Sequence, residues 1–290
     1  MRHPMTNRPP AERPAWLEAL YPLINIGQAL FLAFWSVVCI TSAFVAGLVT
    51  MRRQLPLAMA RHLWAPPLIR GTGSRIELSP LPDVDWSKPH IFVMNHQSMF
   101  DIPCAFAALP ANLRFVAKHT LRRVPFIGWY MAFTGMIFIN RRDRAEAVRS
   151  LELAGQRIRE GANILAYPEG TRSRDGSILP FKKGPFVLAI EAGVPIIPVA
   201  IEGSGAVLPR DGFRIRGGVV RMKVGRPIET AGLSRDDRDE LLRKTRDAII
   251  ALHLEIGGKG GDDNAFAETG EEGRAAKHQP GARVARDRAA

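Results

Sequence analysis

The hydrophobic pattern divides the chain into three parts. Residues 29–49, ALFLAFWSVVCITSAFVAGLV, form an uncharged apolar run, and beyond residue 75 short apolar runs alternate with polar stretches. From residue 257 onward the sequence is rich in Gly, Ala and charge, with few large apolar side chains. These patterns predict an N-terminal region over 1–56 with a membrane-anchoring helix, a folded domain over 57–256 and a disordered tail over 257–290.

In the folded part, the pattern predicts alternating strands and helices. Apolar runs predict strands at 90–94, 113–117, 136–140, 164–167, 196–201 and 219–224. Helices are predicted at 144–160, at 186–192 (ending at Gly193) and at 236–254. This succession indicates an α/β fold with a largely parallel mixed sheet flanked by helices. The two prolines in VPIIP, 194–198, favour an edge strand or the wall of an apolar groove for that segment.

The N-terminal apolar run is long enough to cross a bilayer. Its 21 residues span about 31 Å as a helix, close to the hydrocarbon thickness. A cleaved signal peptide has a shorter apolar core, and Met51-Arg52-Arg53 follows here instead of a cleavage site. A buried helix of a soluble protein remains the alternative. Basic residues are slightly more numerous after the run, which places the domain on the cytoplasmic face of the inner membrane. Residues 54–70 fit either an interfacial segment or a core-packing connector.

Charge and cysteine content narrow the function classes. Lys and Arg number 40 against 28 Asp and Glu, a formal charge of +12 that suits nucleic acid, an anionic membrane or phosphorylated substrates. No basic stripe interleaved with aromatic residues and no known nucleic-acid module is present, which argues against nucleic acid. Cys39 and Cys104 give neither a disulfide framework nor zinc-ligand spacing, and we expect no metal site.

The stretch NHQSMFD, 95–101, holds the first candidate chemistry. His96 and Asp101 are five residues apart and would point about 140° away from each other on one helix. A local pair therefore needs His96 in a loop and Asp101 on the first turn of a helix that begins near Ser98. Paired in that way, His96 is a candidate general base oriented by a carboxylate. The alternative is that Asp101 only completes a capping box with Ser98.

Two further clusters follow predicted strands. YPEGTRS, 167–173, combines a tight turn, hydroxyls, backbone N–H groups and a guanidinium, which together suit a phosphate. Taken alone, it is also compatible with a turn that carries a surface Arg. In GMIFINRR, 135–142, Arg141 and Arg142 emerge from a strand end, where a solvated charge pair is the simpler interpretation.

Four blocks in this order resemble the glycerolipid acyltransferase family. They are NHQSMFD, FINR at 138–141, YPEGTRS and VPIIP, and the linking stretches FVAKHTLRRVPFIGWYM (115–131) and LPFKKGPF (179–186) are similar too. The resemblance covers about residues 75–230. Tyr167 stands where the family usually has Phe, and Asn140 where Asp is common. Neither difference removes a group that the family uses in catalysis.

The resemblance implies the glycerolipid acyltransferase fold and a specific reaction. A fatty acyl group would pass from an acyl thioester to the free sn-2 hydroxyl of 1-acylglycerol 3-phosphate, giving phosphatidic acid in phospholipid synthesis. His96 would be the base, and Asp101 would orient it. The residues implied in substrate binding are Lys118, Arg141, Glu169, Gly170, Thr171, Arg172 and Ser173. Because a carboxylate repels phosphate, we expect Glu169 to hold an Arg or the acceptor's glycerol instead.

The implied partners are a lysophospholipid acceptor, membrane lipid and an acyl donor. Acyl-CoA or acyl-acyl carrier protein would serve as co-substrate, and no cofactor is expected because a thioester is already activated. A related enzyme could act on another acceptor, such as a lyso-ornithine lipid or another lysophospholipid. Outside this class, a non-catalytic membrane phosphate-binding protein would explain the basic residues and the anchor. It would leave His96 and Asp101 unexplained.

Overall fold

A seven-stranded sheet forms the centre of the fold. In the computed structural model the described residues are 15–140 and 143–261. The strands are β1 Arg75–Leu78, β2 Ile91–Met94, β3 Leu113–Lys118, β4 Ile137–Ile139, β5 Asn163–Ala166, β6 Ile196–Glu202 and β7 Val219–Val224. The helices are α1 Ala15–Thr50, α2 Gln54–Met59, α3 Ala65–Gly71, α4 Asp101–Ala108, α5 Ile127–Thr134, α6 Arg144–Arg159, α7 Gly184–Ala192, α8 Ser204–Val207 and α9 Arg238–Glu255.

The strands run in the order β1-β7-β6-β2-β5-β3-β4. Every neighbouring pair is parallel except β6 with β7, which is antiparallel. The predicted largely parallel mixed sheet is therefore confirmed, and the six predicted strands all appear within one or two residues of their expected bounds. Strand β1 was not predicted, because its sequence RIEL is short and mostly exposed and carries no apolar run.

Helices cover both faces of the sheet. On β2, Phe92 and Met94 face the cluster shared with α1 to α5, whereas Ile91 and Val93 face the cluster shared with α6, α7 and α9. All four side chains are buried. A strand buried on both faces needs a continuous apolar run rather than an alternating one, which explains why IFVM was recognisable in the sequence.

The prediction of an edge position for VPIIP was wrong. Strand β6 lies inside the sheet between β2 and β7, with six of its seven residues buried. Pro198 is tolerated there because the ladder to β7 is interrupted beside it. Ile196 pairs with Ile228 beyond the end of β7, regular pairing with β7 begins only at Val199, and the Pro198 carbonyl still accepts a hydrogen bond. The missing N–H of proline thus falls at a gap in the ladder.

Helix α1 is longer than the predicted anchor, with 36 residues instead of the run 29–49. It lies against the domain at both ends. The Asn25 side chain exchanges two hydrogen bonds with the backbone of Ile215, at 3.1 and 2.7 Å, and Phe44 packs edge-on against Phe133. The following segment, α2 to α3, buries Leu57 and Ile69. For residues 54–70 the structure thus supports the core-packing alternative.

The domain extends a few residues past the predicted start of the tail. The Gly260 carbonyl accepts a hydrogen bond from the Ile178 N–H at 2.9 Å, and Gly261 forms a bridge with the same residue. The N–H of Gly260 donates to His253 Nδ1 of α9. Residues 257–261 therefore belong to the folded domain rather than to a disordered tail. Residues 262–290 lie outside the described residues.

Candidate active site

The candidate site lies at the carboxyl edge of the parallel strands. β2 and β5 are neighbours with the same direction, so the loops that follow them begin side by side. The first loop carries NHQSMFD and the second YPEGTRS. Ligand sites of open α/β sheets lie at this edge, because the loops there converge while the strands beneath them hold the backbone rigid.

His96 and Asp101 form a direct pair. The distance from His96 Nδ1 to Asp101 Oδ2 is 2.6 Å, with the Asp101 side chain fully buried and the His96 side chain 14% exposed. The backbone N–H groups of Gln97 and Ser98 donate to the same oxygen at 2.8 and 3.0 Å. This one oxygen thus accepts from the imidazole and from two backbone N–H groups. The His96 proton then resides on Nδ1, which leaves Nε2 able to accept a proton.

The pair forms together with one of the two hydrogen bonds of a capping box. His96 lies in the loop and Asp101 is the first residue of α4, as predicted. Ser98 Oγ accepts from the Phe100 N–H while Asp101 Oδ2 accepts from the Ser98 N–H, so both residues also stabilise the start of the helix. Asp101 therefore fixes the loop and the imidazole with one oxygen.

Glu169 and Ser173 hold the His96 backbone from the neighbouring loop. Glu169 Oε1 accepts the His96 N–H at 2.8 Å, and the Ser173 N–H donates to the His96 carbonyl at 2.7 Å. Glu169 is 4% exposed, and its second oxygen accepts the Leu179 N–H. Both of these contacts are with backbone N–H groups, and the expectation that Glu169 holds an Arg or the acceptor's glycerol stays a prediction. Ser173 is buried too, with its hydroxyl on Asp175, so both residues act on the shape of the loop.

The environment of Glu169 is unusual for a carboxyl group. Burial raises its pKa to about 8, against the lowering effect of the N–H groups of His96 and Leu179. At neutral pH the group is therefore mostly protonated and carries little negative charge into this part of the site.

Tyr167 forms a platform for the His96 imidazole. Its ring stacks on that of His96 with a centroid distance of 4.0 Å and an interplanar angle of 21°. The Tyr167 hydroxyl is buried, and burial raises its pKa well above the usual range. It therefore stays neutral, and Tyr167 serves here mainly as an aromatic surface.

Two cavities meet at His96 and Tyr167. The first has a volume of about 610 Å³ and runs between α1, α5 and the sheet. Its walls are almost entirely apolar and include Trp35, Ile40, Trp64, Phe106, Tyr130 and Met131. The second, of about 370 Å³, is more polar and is lined by the loop after β5 and the start of α7. The imidazole is thus accessible from an apolar side and from a polar side.

Four of the seven predicted binding residues line these cavities. Gly170, Thr171 and Arg172 line the polar cavity together with His96. Lys118, at the end of β3, lines the apolar cavity instead. Arg141 lies outside the described residues, and its assignment stays a prediction.

Lys182 was not singled out from the sequence, although it lines the polar cavity. Its N–H donates to the Pro168 carbonyl at 2.9 Å, which ties the LPFKKGPF stretch to the loop after β5. That stretch stood out in the sequence only as a link between blocks. Within residues 15–140 and 143–261, no group of three or more His, Cys, Asp and Glu side chains is suited to hold a metal ion.

Comparison with known proteins gives consistent similarities. The acyltransferase family model matches residues 75–202. A 1-acyl-sn-glycerol-3-phosphate acyltransferase of Saccharomyces cerevisiae is 36% identical over 174 residues, 59% of this chain and 57% of the relative. The human 1-acyl-sn-glycerol-3-phosphate acyltransferase alpha is 32% identical over 194 residues, 66% of this chain and 69% of the relative.

A solved structure is similar over most of its length. The crystal structure of the 1-acyl-sn-glycerophosphate (LPA) acyltransferase from Thermotoga maritima superposes with a TM-score of 0.67 at 25% identity, covering 80% of this chain and 94% of that one. The fold is therefore shared, sheet and flanking helices included. This chain spans between 43% and 62% of the length of the first four curated relatives.

Proposed function

The chain belongs to the acyltransferase family, and from that membership we propose that it acylates the sn-2 hydroxyl of 1-acylglycerol 3-phosphate. The product would be phosphatidic acid, made for phospholipid synthesis. The observation that carries the proposal is the position of His96 between an apolar cavity and a polar one. A lysophospholipid acceptor and a fatty acyl thioester need these two environments on either side of one base.

The reaction proceeds by direct transfer. His96 Nε2 removes the proton of the acceptor hydroxyl while Asp101 stabilises the resulting imidazolium through Nδ1. The hydroxyl oxygen attacks the thioester carbonyl carbon and forms the new C–O bond. The tetrahedral intermediate then loses the thiolate by cleavage of the C–S bond, and the proton on His96 passes to the departing sulfur. No acyl-enzyme and no cofactor is required.

The acceptor phosphate is assigned to the polar cavity. Arg172 supplies a guanidinium, Gly170 and Thr171 supply the turn and a hydroxyl, and Lys182 lies on the same wall. A guanidinium binds two phosphate oxygens at once, which orients the glycerol as well as neutralising charge. The acyl chains are assigned to the apolar cavity, with Lys118 at its wall beside the site. The donor is acyl-CoA or acyl-acyl carrier protein.

Membrane lipid surrounds the outer side of α1. Leu20–Thr50 is long and apolar enough to cross a membrane, and only a small share of it is buried in the protein. About 19 residues separate its contacts at Asn25 and Phe44, roughly 28 Å along a helix, so the domain lies beside the helix over most of that length. We place α1 in the inner membrane, with the catalytic domain at the cytoplasmic face. Substrates would then reach the cavity directly from the bilayer.

The test is thiol release from acyl-CoA, and from acyl-acyl carrier protein, with and without 1-acylglycerol 3-phosphate. The expected result is release only with acceptor, and a loss of about 10²–10⁴-fold in kcat for His96→Ala. His62→Ala removes an exposed histidine outside both cavities and should keep full activity. Binding of 1-acylglycerol 3-phosphate without any thiol release would instead identify a non-catalytic phosphate-binding protein. A panel with other lysophospholipids and lyso-ornithine lipid identifies the acceptor.

A further inference from the structure

One of the buried histidines outside the cavities lies on α9. His253 of α9 is 0% exposed, and its Nε2 is 2.7 Å from Glu202 Oε2 at the end of β6. The N–H of Gly260 donates to its Nδ1 at 3.2 Å. A backbone N–H can only donate, so Nδ1 carries no proton and Nε2 donates its own to Glu202. The Gly260 contact thus selects the tautomer.

Glu202 connects His253 to the loop that carries His96 and Asp101. Its Oε2 also accepts a hydrogen bond from Gln97 Nε2 at 2.7 Å. Gln97 Nε2 lies 3.2 Å from His253 Nε2, where both are donors to the shared oxygen, and its other hydrogen faces the Gly176 carbonyl at 3.3 Å. Partial burial disfavours the Glu202 carboxylate, but the hydrogen bonds from His253 and Gln97 outweigh that effect and lower its pKa.

Gln97 in turn contacts the His96–Asp101 pair through its backbone N–H. The Gln97 N–H donates to Asp101 Oδ2, the oxygen that holds His96. With its side chain held at two points and 4% exposed, Gln97 cannot rotate its peptide plane without breaking buried hydrogen bonds. The chain of contacts therefore runs from Gly260 through His253, Glu202 and Gln97 to Asp101.

We propose that His253 and Glu202 are positioning residues for acyl transfer, acting through Gln97 on the geometry of Asp101 and His96. The C-terminal helix and the segment up to Gly260 thereby belong functionally to an active site that they do not touch. This inference rests on the proposed role of His96 as the base. It also assigns a function to residues beyond 202, where the family match ends.

Kinetics of the full-length protein in detergent micelles test the proposal. His253→Leu removes the donor to Glu202, and kcat should fall about 10-fold to 100-fold, the scale expected for a slightly misplaced base. The KM values for acceptor and thioester should stay within about twofold, because no binding residue moves. Without a firm Gln97 donor, Asp101 holds the imidazolium more strongly, so the acid limb of the kcat–pH profile should move to higher pH. His253→Gln restores a donor at the Nε2 position and should recover most of the activity.

Two further variants separate positioning from folding. Glu202→Met breaks the same chain at a partly exposed residue, and the double variant with His253→Leu should be no slower than either single one. Ile249→Ala, in the buried face of the same helix, lowers the unfolding temperature without touching this chain and should leave kcat and the pH profile unchanged.

The possible outcomes are distinct. Wild-type kcat in both His253→Leu and Glu202→Met would overturn the positioning role while leaving His96 as the base. If Ile249→Ala lowers kcat to the same extent, the effect of the His253 and Glu202 variants is due to loss of helix packing rather than to positioning of His96. Activity in His96→Ala would instead remove the proposed function itself.

Discussion

At the scale of single residues, the two loops contain two kinds of side chain, those that face the cavities and those that hold the loops in place. His96 and Arg172 face the cavities, whereas Glu169, Ser173 and Gln97 bond the backbone or side chains that hold His96 in place. Supporting residues of this kind are as polar as substrate-binding ones, so residue type alone does not tell the two apart.

Arg172→Lys tests phosphate binding separately from catalysis. Lysine keeps the charge but loses the planar fork, so the KM for 1-acylglycerol 3-phosphate should rise about 10-fold to 100-fold. The KM for the thioester should change by less than threefold, as measured by initial rates with each substrate varied in turn. Arg174→Lys is the matched control, because Arg174 lies on the same loop, forms an exposed ion pair with Asp211 and lies outside both cavities. A selective rise in the KM for the thioester would indicate that Arg172 binds the phosphates of the acyl donor instead of the acceptor phosphate.

Glu169 should make stability depend on pH. Its pKa is raised to about 8 by burial, whereas the unfolded chain ionises it near the ordinary value. Between those two values the native state binds a proton that the unfolded state has lost, so the free energy of unfolding falls as pH rises, by about 1.4 kcal/mol per pH unit at most. Denaturant unfolding in detergent at pH 5 to 9 should show this slope, and Glu169→Gln should flatten it. Glu160→Gln, at an exposed site, should not. An unchanged slope in Glu169→Gln would assign the effect to another group.

At the scale of elements, the turn before α5 and the first residues of α5 form an apolar rim beside the cavity. Its exposed side chains are Leu121, Val124, Phe126, Ile127 and Trp129, with Arg122 and Arg123 among them. Leu121 and Ile127 also line the apolar cavity. The turn is tightly built: a side chain at Gly128 would place its Cβ 2.4 Å from the Arg122 carbonyl oxygen. Exposed aromatic and basic residues on a rigid turn are typical of a lipid-facing surface.

Replacing Phe126 and Trp129 by Ser should impair use of substrate held in a bilayer. Each apolar side chain removed from lipid costs about 1.5 kcal/mol, so the apparent KM for acceptor in anionic vesicles should rise at least 10-fold. In detergent micelles, where acceptor does not need to leave a bilayer, the change should be small. Leu254→Ser removes an exposed apolar side chain from α9, on the other face of the sheet, and serves as the control. Equal losses in vesicles and micelles would point to a folding defect instead.

At the scale of the whole molecule, α1 is the candidate membrane anchor and also a wall of the apolar cavity. Trp35, Ile40 and Ala43 line the apolar cavity from the helix, while the outer residues Leu23, Phe34 and Val49 are exposed. The proposed membrane attachment and the proposed acyl-chain site therefore depend on the same element, and without α1 the cavity is open on that side.

Deletion of residues 1–53 should consequently have two effects. The protein should leave the membrane fraction, and much of it should aggregate, because the cavity lining becomes exposed apolar surface. Fractionation followed by alkaline carbonate extraction measures the first effect, and gel filtration measures the second. Full-length His96→Ala should stay in the membrane fraction, which excludes loss of activity as the cause. Truncated protein that still resists carbonate would place the anchor elsewhere.

The sequence by itself determined the features that depend on local pattern. Continuous apolar runs such as IFVM identified the buried strands, and Ser98 with Asp101 identified the helix start that lets Asp101 reach back to His96. The uncharged run identified the apolar helix. These features follow from periodicity, side-chain size and short-range hydrogen bonding, which act between residues close together in the chain.

Only the tertiary structure decided the features that depend on which strands become neighbours. The central position of β6 follows from its pairing with β2 and β7, which the two prolines alone did not indicate. The supporting role of Glu169 arises because β5 lies beside β2, which brings a carboxylate to the His96 N–H from 73 positions away. His253 reaches Glu202 across 51 positions in the same way. Such contacts join residues that are far apart in the chain and whose local sequence patterns are independent of one another. Their partners are therefore set by the packing of the strands and helices, not by the local sequence.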